Sequence, residues 1–271
     1  AQAAVTINLL GCNYSQYRDL LNKSPLDKAL RQEDGDPYPV LVGAALRIAY
    51  TNVLAHLEAK APGLKQAAVG ALGALSYLAE SGVPRRWLQS AASDTEQAAE
   101  AIGELIARSV LSQSEDRTVV TLHRLQAQVI REDGVVDVTD AADVLNAVKI
   151  RREDEYWSRR ESVALVASQL VAIRIQTHSR DLLARPDIME TAARIIFWAN
   201  DCSDPYTAIS LEAYVTISER VLGADHPSTL ASRNNLAYAY ESAGDLVRAV
   251  PLYEQTLADR ERVLGADHPD T

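Results

Sequence analysis

A seven-residue string occurs twice in this chain and constrains its fold more than any other feature. Val221-Leu222-Gly223-Ala224-Asp225-His226-Pro227 recurs as Val263-Leu264-Gly265-Ala266-Asp267-His268-Pro269, displaced by 42 residues. Identity over the whole string at that spacing marks a tandem structural repeat rather than coincidence. Physically the string stops one helix and starts another. Gly223 can take the left-handed conformation that closes a helix, and Pro227 suits the first turn of the next, where a missing N–H costs nothing. Two helical patterns fit between the copies. Residues 230–242 place Leu236, Ala237 and Tyr240 on one face. Residues 246–263 place Ala249, Leu252, Tyr253 and Leu257 on another. Gly244-Asp245 reads as the turn between them. Small Ala237 and Ala249 let the two helices approach closely, while Tyr240 and Tyr253 fill the space beside them.

Leu236-Ala237-x-x-Tyr240, then Ala249, then Tyr253, resembles the tetratricopeptide repeat. Thr256 departs from it, standing where that family usually has Ala. The long period and the Gly-x-Asp-His-Pro loop resemble the kinesin light chain variety. The resemblance implies an α-solenoid whose concave groove takes a protein or peptide partner, with Leu236, Ala237, Tyr240, Ala249, Leu252, Tyr253 and Leu257 packing the repeat. A weaker upstream copy is visible over 192–199 and 208–221, where Glu219-Arg220-Val221-Leu222 anticipates Glu261-Arg262-Val263-Leu264. The sequence stops at Thr271, one residue into the helix that should follow. The array is therefore expected to be cut rather than capped, leaving the helix over 246–264 with an uncovered apolar face able to self-associate.

Residues 63–134 read as a second unit. A helix over 64–80 ends at Ser81-Gly82-Val83-Pro84, a short helix follows over 85–91, and Asp94 or Ser93 caps a longer one over 95–110. Residues 110–113 and 118–123, rich in β-branched residues, flank the polar Ser114-Glu115-Asp116-Arg117 and predict a small hairpin. Three helices followed by a hairpin is the order of a winged helix, so charge must decide whether this unit binds DNA. Seven basic residues (Lys65, Arg85, Arg86, Arg108, Arg117, Arg124, Arg131) face nine acidic ones (Glu80, Asp94, Glu96, Glu100, Glu104, Glu115, Asp116, Glu132, Asp133). The helix placed to read DNA carries Glu96, Glu100 and Glu104 against Arg108 alone, a face that phosphates repel. The whole chain is acidic as well, at −10 with a pI near 5.0. Nucleic acid is not the expected partner, and a transcriptional regulator with peptide-sensing repeats is the alternative reading.

The order of units, a helical segment, a winged helix ending in Leu122-His123-Arg124-Leu125 and then 42-residue repeats, resembles bacterial NB-ARC (STAND) signalling ATPases. That resemblance implies a regulatory and sensor half of such a protein, with residues 1–62 as an ARC-like helical segment, 63–134 as the winged helix, 135–185 as a helical connector and 186–271 as the truncated repeats. In that family a Met-His-Asp-like motif supplies a histidine that senses the β-phosphate of ADP. Leu122-His123-Arg124 falls at that motif, and the histidine alone matches, making His123 the candidate cofactor-binding residue. No G-x-x-x-x-G-K-[ST] occurs in the sequence. The chain is thus expected to be no enzyme and to hold no cofactor of its own, ADP or ATP belonging to a nucleotide domain in the full-length protein.

No other chemistry can be recognised from spacing alone. His226 and His268 each follow an aspartate and precede a proline, too few ligands for a metal site. No Ser-His-Asp, Cys-His or paired-carboxylate arrangement stands out. Cys12 and Cys202 lie 190 positions apart, which suits reduced thiols in a cytoplasmic protein. No run reaches eighteen apolar residues, so no membrane span is expected. Ala1-Gln2-Ala3-Ala4 reads as helix interior, and the chain as a fragment. The expected fold is all-α with one small β-hairpin, a helical bundle leading into a tetratricopeptide solenoid.

Overall fold

The computed structural model describes residues 15–16, 40–176 and 179–268. Cys12, the loop around Asp34 and Gly35, most of the 1–62 segment and Thr271 lie outside the described residues. The fold is all-α with a small sheet. Thirteen helices and three short strands occur among the described residues, and the chain divides into two compact units, 1–147 and 148–271.

In the first unit, α1 (Val40–Lys60) and α2 (Pro62–Tyr77) are joined through Ala61, which is extended and sets Pro62 at the first helical turn. The apolar positions Leu64, Ala68, Ala71, Leu72 and Leu75 bury α2 along most of its length. Pro84 ends strand β1 (Val83–Pro84), followed by α3 (Arg85–Ala91) and α4 (Thr95–Ala107). Asp94, not Ser93, caps α4, its carboxylate accepting from the Glu96 and Gln97 N–H groups. Strands β2 (Ser112–Gln113) and β3 (Val119–Thr121) flank a turn in which Asp116 accepts from Ser114 and Thr118. The hairpin is shorter than the sequence suggests, and β1 adds a third strand that was hidden in a segment read as a break. All pairing is antiparallel in the order β1-β3-β2, with Val83 opposite Val120 and Ser112 opposite Thr121. Two further helices complete the unit, α5 (Arg124–Glu132) and α6 (Thr139–Ala147). Around α2 pack α1, α4, α5 and α6. The connector expected over 135–185 is therefore not one piece, because α6 packs on α2 and α3 within the first unit. A long-range clamp ties α1 to the end of α5: Arg47 donates to both oxygens of Asp133, at 2.7 and 2.9 Å from Nε, and the buried Tyr50 hydroxyl donates to the same carboxylate.

The second unit begins with α7 (Tyr156–Ile175) and the single turn α8 (Arg180–Leu183). Helix α9 (Pro186–Asp201) follows, then α10 (Pro205–Ser210) and α11 (Glu212–Val221), then α12 (Pro227–Ser242) and α13 (Leu246–Leu264). Where the sequence suggested one helix over 208–221, a break at Leu211 separates α10 from α11. Helix α9 packs on α7, α10, α11 and α12, and α12 packs on α10, α11 and α13. Two tyrosines tie the layers through backbone acceptors, the buried Tyr214 to the Leu170 carbonyl at 2.7 Å and the more exposed Tyr156 to that of Cys202 at 2.7 Å.

Candidate interaction surface

Among the described residues the two copies of the repeated string share a glycine turn. Gly223 and Gly265 both have φ far into the positive region, at 99° and 94°. Gly265 pairs this with ψ 153°, a region open to glycine alone and distinct from the left-handed helical well the sequence suggested. In both copies the histidine N–H then bonds the glycine carbonyl at 3.3 Å. His226 caps α12, with Nδ1 accepting from the Ser228 N–H at 3.2 Å. At the other turn Gly244 (φ 83°) lets the chain reverse, and Asp245 caps α13 through the Arg248 N–H.

Leu236, Ala237, Tyr240 and Ala249 are buried at the α12–α13 contact, while Leu252 and Tyr253 are half-buried. Leu257 departs from the expectation. It is 45% exposed, because the stripe that faces α12 runs through Ala249 and Thr256 and passes Leu257 by. Thr256 takes the position where the repeat family has Ala and satisfies its hydroxyl on the Leu252 carbonyl at 2.7 Å. Pro251 sits inside α13, a residue the periodicity ignored. The Tyr240 hydroxyl donates to Glu212, and Arg248 stacks on its ring 4.2 Å from the centroid. Burial and the Glu212 contact push the Tyr240 phenol up to about 12.

A chain of alternating charges, not foreseen from sequence, runs through the same junction. Arg233 of α12 is 1% exposed and donates to Glu219 of α11 and to Asp259 of α13, both at 2.5 Å. Burial works against its charge, but the two carboxylates hold its pKa above the ordinary guanidinium value. Asp259 also accepts from Arg262, which grips Asp225 of the loop with two donors. Arg262 and Arg233 hold the Asp259 carboxyl below its usual range. An arginine on an amphipathic helix ordinarily reads as a solvated residue. No signal in the sequence tells that its partners, fourteen residues before and twenty-six after, enclose it.

Solvent-facing stripes remain on both inner helices. On α9 the exposed positions are Pro186, Glu190, Phe197 and Asp201, and on α12 they include Ala231, Tyr238 and Glu241. Phe197 at 39% and Tyr238 at 50% exposure are large apolar side chains left open on helices that pack together. Asn200 of α9 donates to the Asn235 carbonyl of α12 at 2.7 Å, holding the two helices side by side.

In the first unit His123 is exposed and caps α5, its Nδ1 accepting from the Leu125 N–H at 3.3 Å. That acceptor role leaves the ring proton on Nε2. A cleft of about 260 Å³ opens between α2, α3, α4 and α6, lined by Ala67, Gly70, Asp94, Asp140 and Asp143 among others. Asp140 is half-buried there, and burial, with Asp137 and Asp143 nearby, pushes its carboxyl up to about 6 against the Asp137 N–H. Among the described residues no cluster of His, Cys, Asp or Glu side chains is placed to hold a metal ion. No helix among them is long and apolar enough to cross a membrane. Cys202 is a free, buried thiol.

Residues 229–270 match the sequence profile of the tetratricopeptide repeat, a non-catalytic repeat that generally mediates protein–protein interaction. Neither the curated proteins nor the solved structures compared with the chain give a match.

Proposed function

We propose that the chain is a protein–protein interaction scaffold in which α9 and α12 together offer a groove for an extended peptide segment. The observation that carries this reading is the pair of exposed aromatic side chains, Phe197 and Tyr238, on adjacent helices that belong to consecutive repeat units. Exposed aromatic side chains are the residue type that most often anchors a partner. Asn234 and Asn235 beside them, both half-buried, supply the amide donors and acceptors that an extended backbone needs. A peptide array probed with the chain tests this reading. Binding to a defined peptide set, lost in Phe197→Ser and Tyr238→Ser variants that melt like the parent, supports the groove. Peptides retained equally by both variants refute it.

Within that scaffold role, the chain acts as the cytoplasmic regulatory and sensor half of a STAND-type signalling ATPase, whose nucleotide domain would lie elsewhere in the protein. The order of helices and the three-stranded antiparallel sheet in the first unit support the winged-helix part of this reading. The Nε2 of the exposed His123 is suited to donate to an ADP phosphate. His226 forms the same kind of cap, so capping alone does not mark a nucleotide site. His123→Asn separates the two roles, because asparagine also caps helices well but moves the donor. In the full-length protein, weakened ADP binding with an unchanged melting temperature supports sensing. Unchanged ADP affinity leaves His123 as a cap. A winged-helix regulator reading DNA has less support, since α4 carries Glu96, Glu100 and Glu104, and Lys60 is already engaged with the last two.

A further inference from the structure

The cleft in the first unit carries charge of one sign only. Asp94, Asp140 and Asp143 line it, and none of its lining residues is a lysine or an arginine. Among the described residues none of these three carboxylates has a cation as partner. One wall is the face of α2 that bears Gly63 and Gly70, two helical turns or about 10 Å apart. Each glycine has an acceptor oxygen over it. At Gly63 the Gln97 side chain donates its Nε2 to the Asp94 carboxylate at 2.9 Å, which turns its Oε1 onto the glycine, 1.9 Å from where a β-carbon would be. At Gly70 the nearest atom is Asp140 Oδ1, 3.7 Å from the β-carbon position. Asp140 Oδ2 takes a long bond from the Asp137 N–H at 3.4 Å, whereas Oδ1 takes no donor among the described residues. Short apolar side chains, Ala67, Ala71, Leu88 and Val144, line the rest of the space.

We propose that this cleft is a binding site for a short linear aliphatic diamine. One ammonium meets Asp140 Oδ1, with the exposed Asp143 of the same helix adding negative potential. The other meets Gln97 Oε1 beside the Asp94 carboxylate. With one hydrogen bond of about 2.8 Å at each end, the gap that remains suits a few methylenes, and these lie on the alanines and Leu88. At neutral pH Asp140 is charged yet half-buried, a state that an ammonium relieves by replacing lost solvation. A metal ion is served poorly, because the acceptors stand at separate ends and form no cluster around one point. A single ammonium or guanidinium satisfies one end and leaves the other open. The inference is independent of what the α9–α12 groove binds.

The test is calorimetric titration of the full chain with 1,4-diaminobutane at pH 7.5, with n-butylamine as the one-ended comparison. The diamine is expected to bind with a Kd below about 1 mM, and about tenfold or more tighter than the monoamine. Asp140→Asn, which keeps the shape of the cleft, is expected to weaken it about tenfold or more, and Asp143→Lys, which brings its own ammonium, to abolish binding. Glu254→Gln makes the same change of net charge at an exposed position of the second unit and is expected to leave the affinity unchanged. Amide chemical shifts should move along α2, the start of α4 and α6. Absence of binding at millimolar diamine overturns the proposal, as does a monoamine that binds equally well. Equal losses in Asp140→Asn and Glu254→Gln also overturn it, since the amine is then attracted only by the net charge of −10.

Discussion

The carboxylate of Asp140 lies directly on Gly73: a β-carbon at position 73 would sit 1.9 Å from its Oδ2 and 2.9 Å from its own Cβ. Gly73 is in the interior of α2, where glycine is otherwise unfavourable. It is there because α6 approaches too closely for any side chain. Alanine should therefore destabilise despite its better helix propensity. Gly73→Ala is expected to cost about 1–3 kcal/mol, read from urea unfolding of the full chain, whereas Gly70→Ala, with 3.7 Å of room, should be neutral or better.

The same contact makes the first unit sensitive to pH. Asp140 has a folded pKa of about 6 against an ordinary 3.8, so its protonated form is favoured in the folded state. Its contribution is fully present below pH 3.8 and is lost as pH rises through 6. Asp140→Asn should consequently be more stable than the parent at pH 7.5, by about 1 kcal/mol after allowing for partial solvent screening. The difference should shrink by pH 4.5. Equal stability of the two proteins at pH 7.5 would contradict this account.

Arg233→Ala leaves Glu219 and Asp259 facing each other without the cation between them. A loss of about 3 kcal/mol is expected, measured by chemical denaturation. Glu219→Ala and Asp259→Ala should each cost less, since Arg233 keeps one partner in either case. Non-additivity of the Glu219 and Asp259 losses in the double variant would report their shared dependence on Arg233.

Ala249 and Leu257 test the repeat packing from opposite sides. Ala249 is 1% exposed at the contact with α12, and Ala249→Leu should overpack it at about 1–3 kcal/mol. Leu257→Ser, on the open side, should change stability by no more than about 0.5 kcal/mol. Thermal melts of the two variants are enough to rank them.

Much of the second unit was legible because glycine and proline punctuate it. Gly223, Gly244 and Gly265 all require positive φ, and Pro227 starts α12, so the boundaries of α12 and α13 followed from residue type alone. What was not legible depends on groups distant in sequence. Val83-Pro84 becomes a strand through pairing with Val119 and Val120, and no two-residue segment signals that by itself. Helix α6 looked like part of a connector because only its packing on α2 and α3 assigns it to the first unit. Leu257 has the spacing of a core residue, and spacing cannot tell whether a neighbour is present to cover it. His123 was legible as a hairpin-end histidine, but its cap on α5 rests on a ring orientation that sequence does not carry.

The alternating line Glu219–Arg233–Asp259–Arg262–Asp225 also bears on how wrong alignments are avoided during folding. Sliding α12 by one turn moves Arg233 by about 5.4 Å, out of reach of both carboxylates, and strands its charge in the interior. Apolar contacts between alanine- and leucine-rich helices tolerate such a slip, because one turn replaces a small aliphatic surface with a similar one. The charges do not tolerate it. A slipped register therefore carries the cost of a buried cation without its carboxylates, which favours the alignment seen.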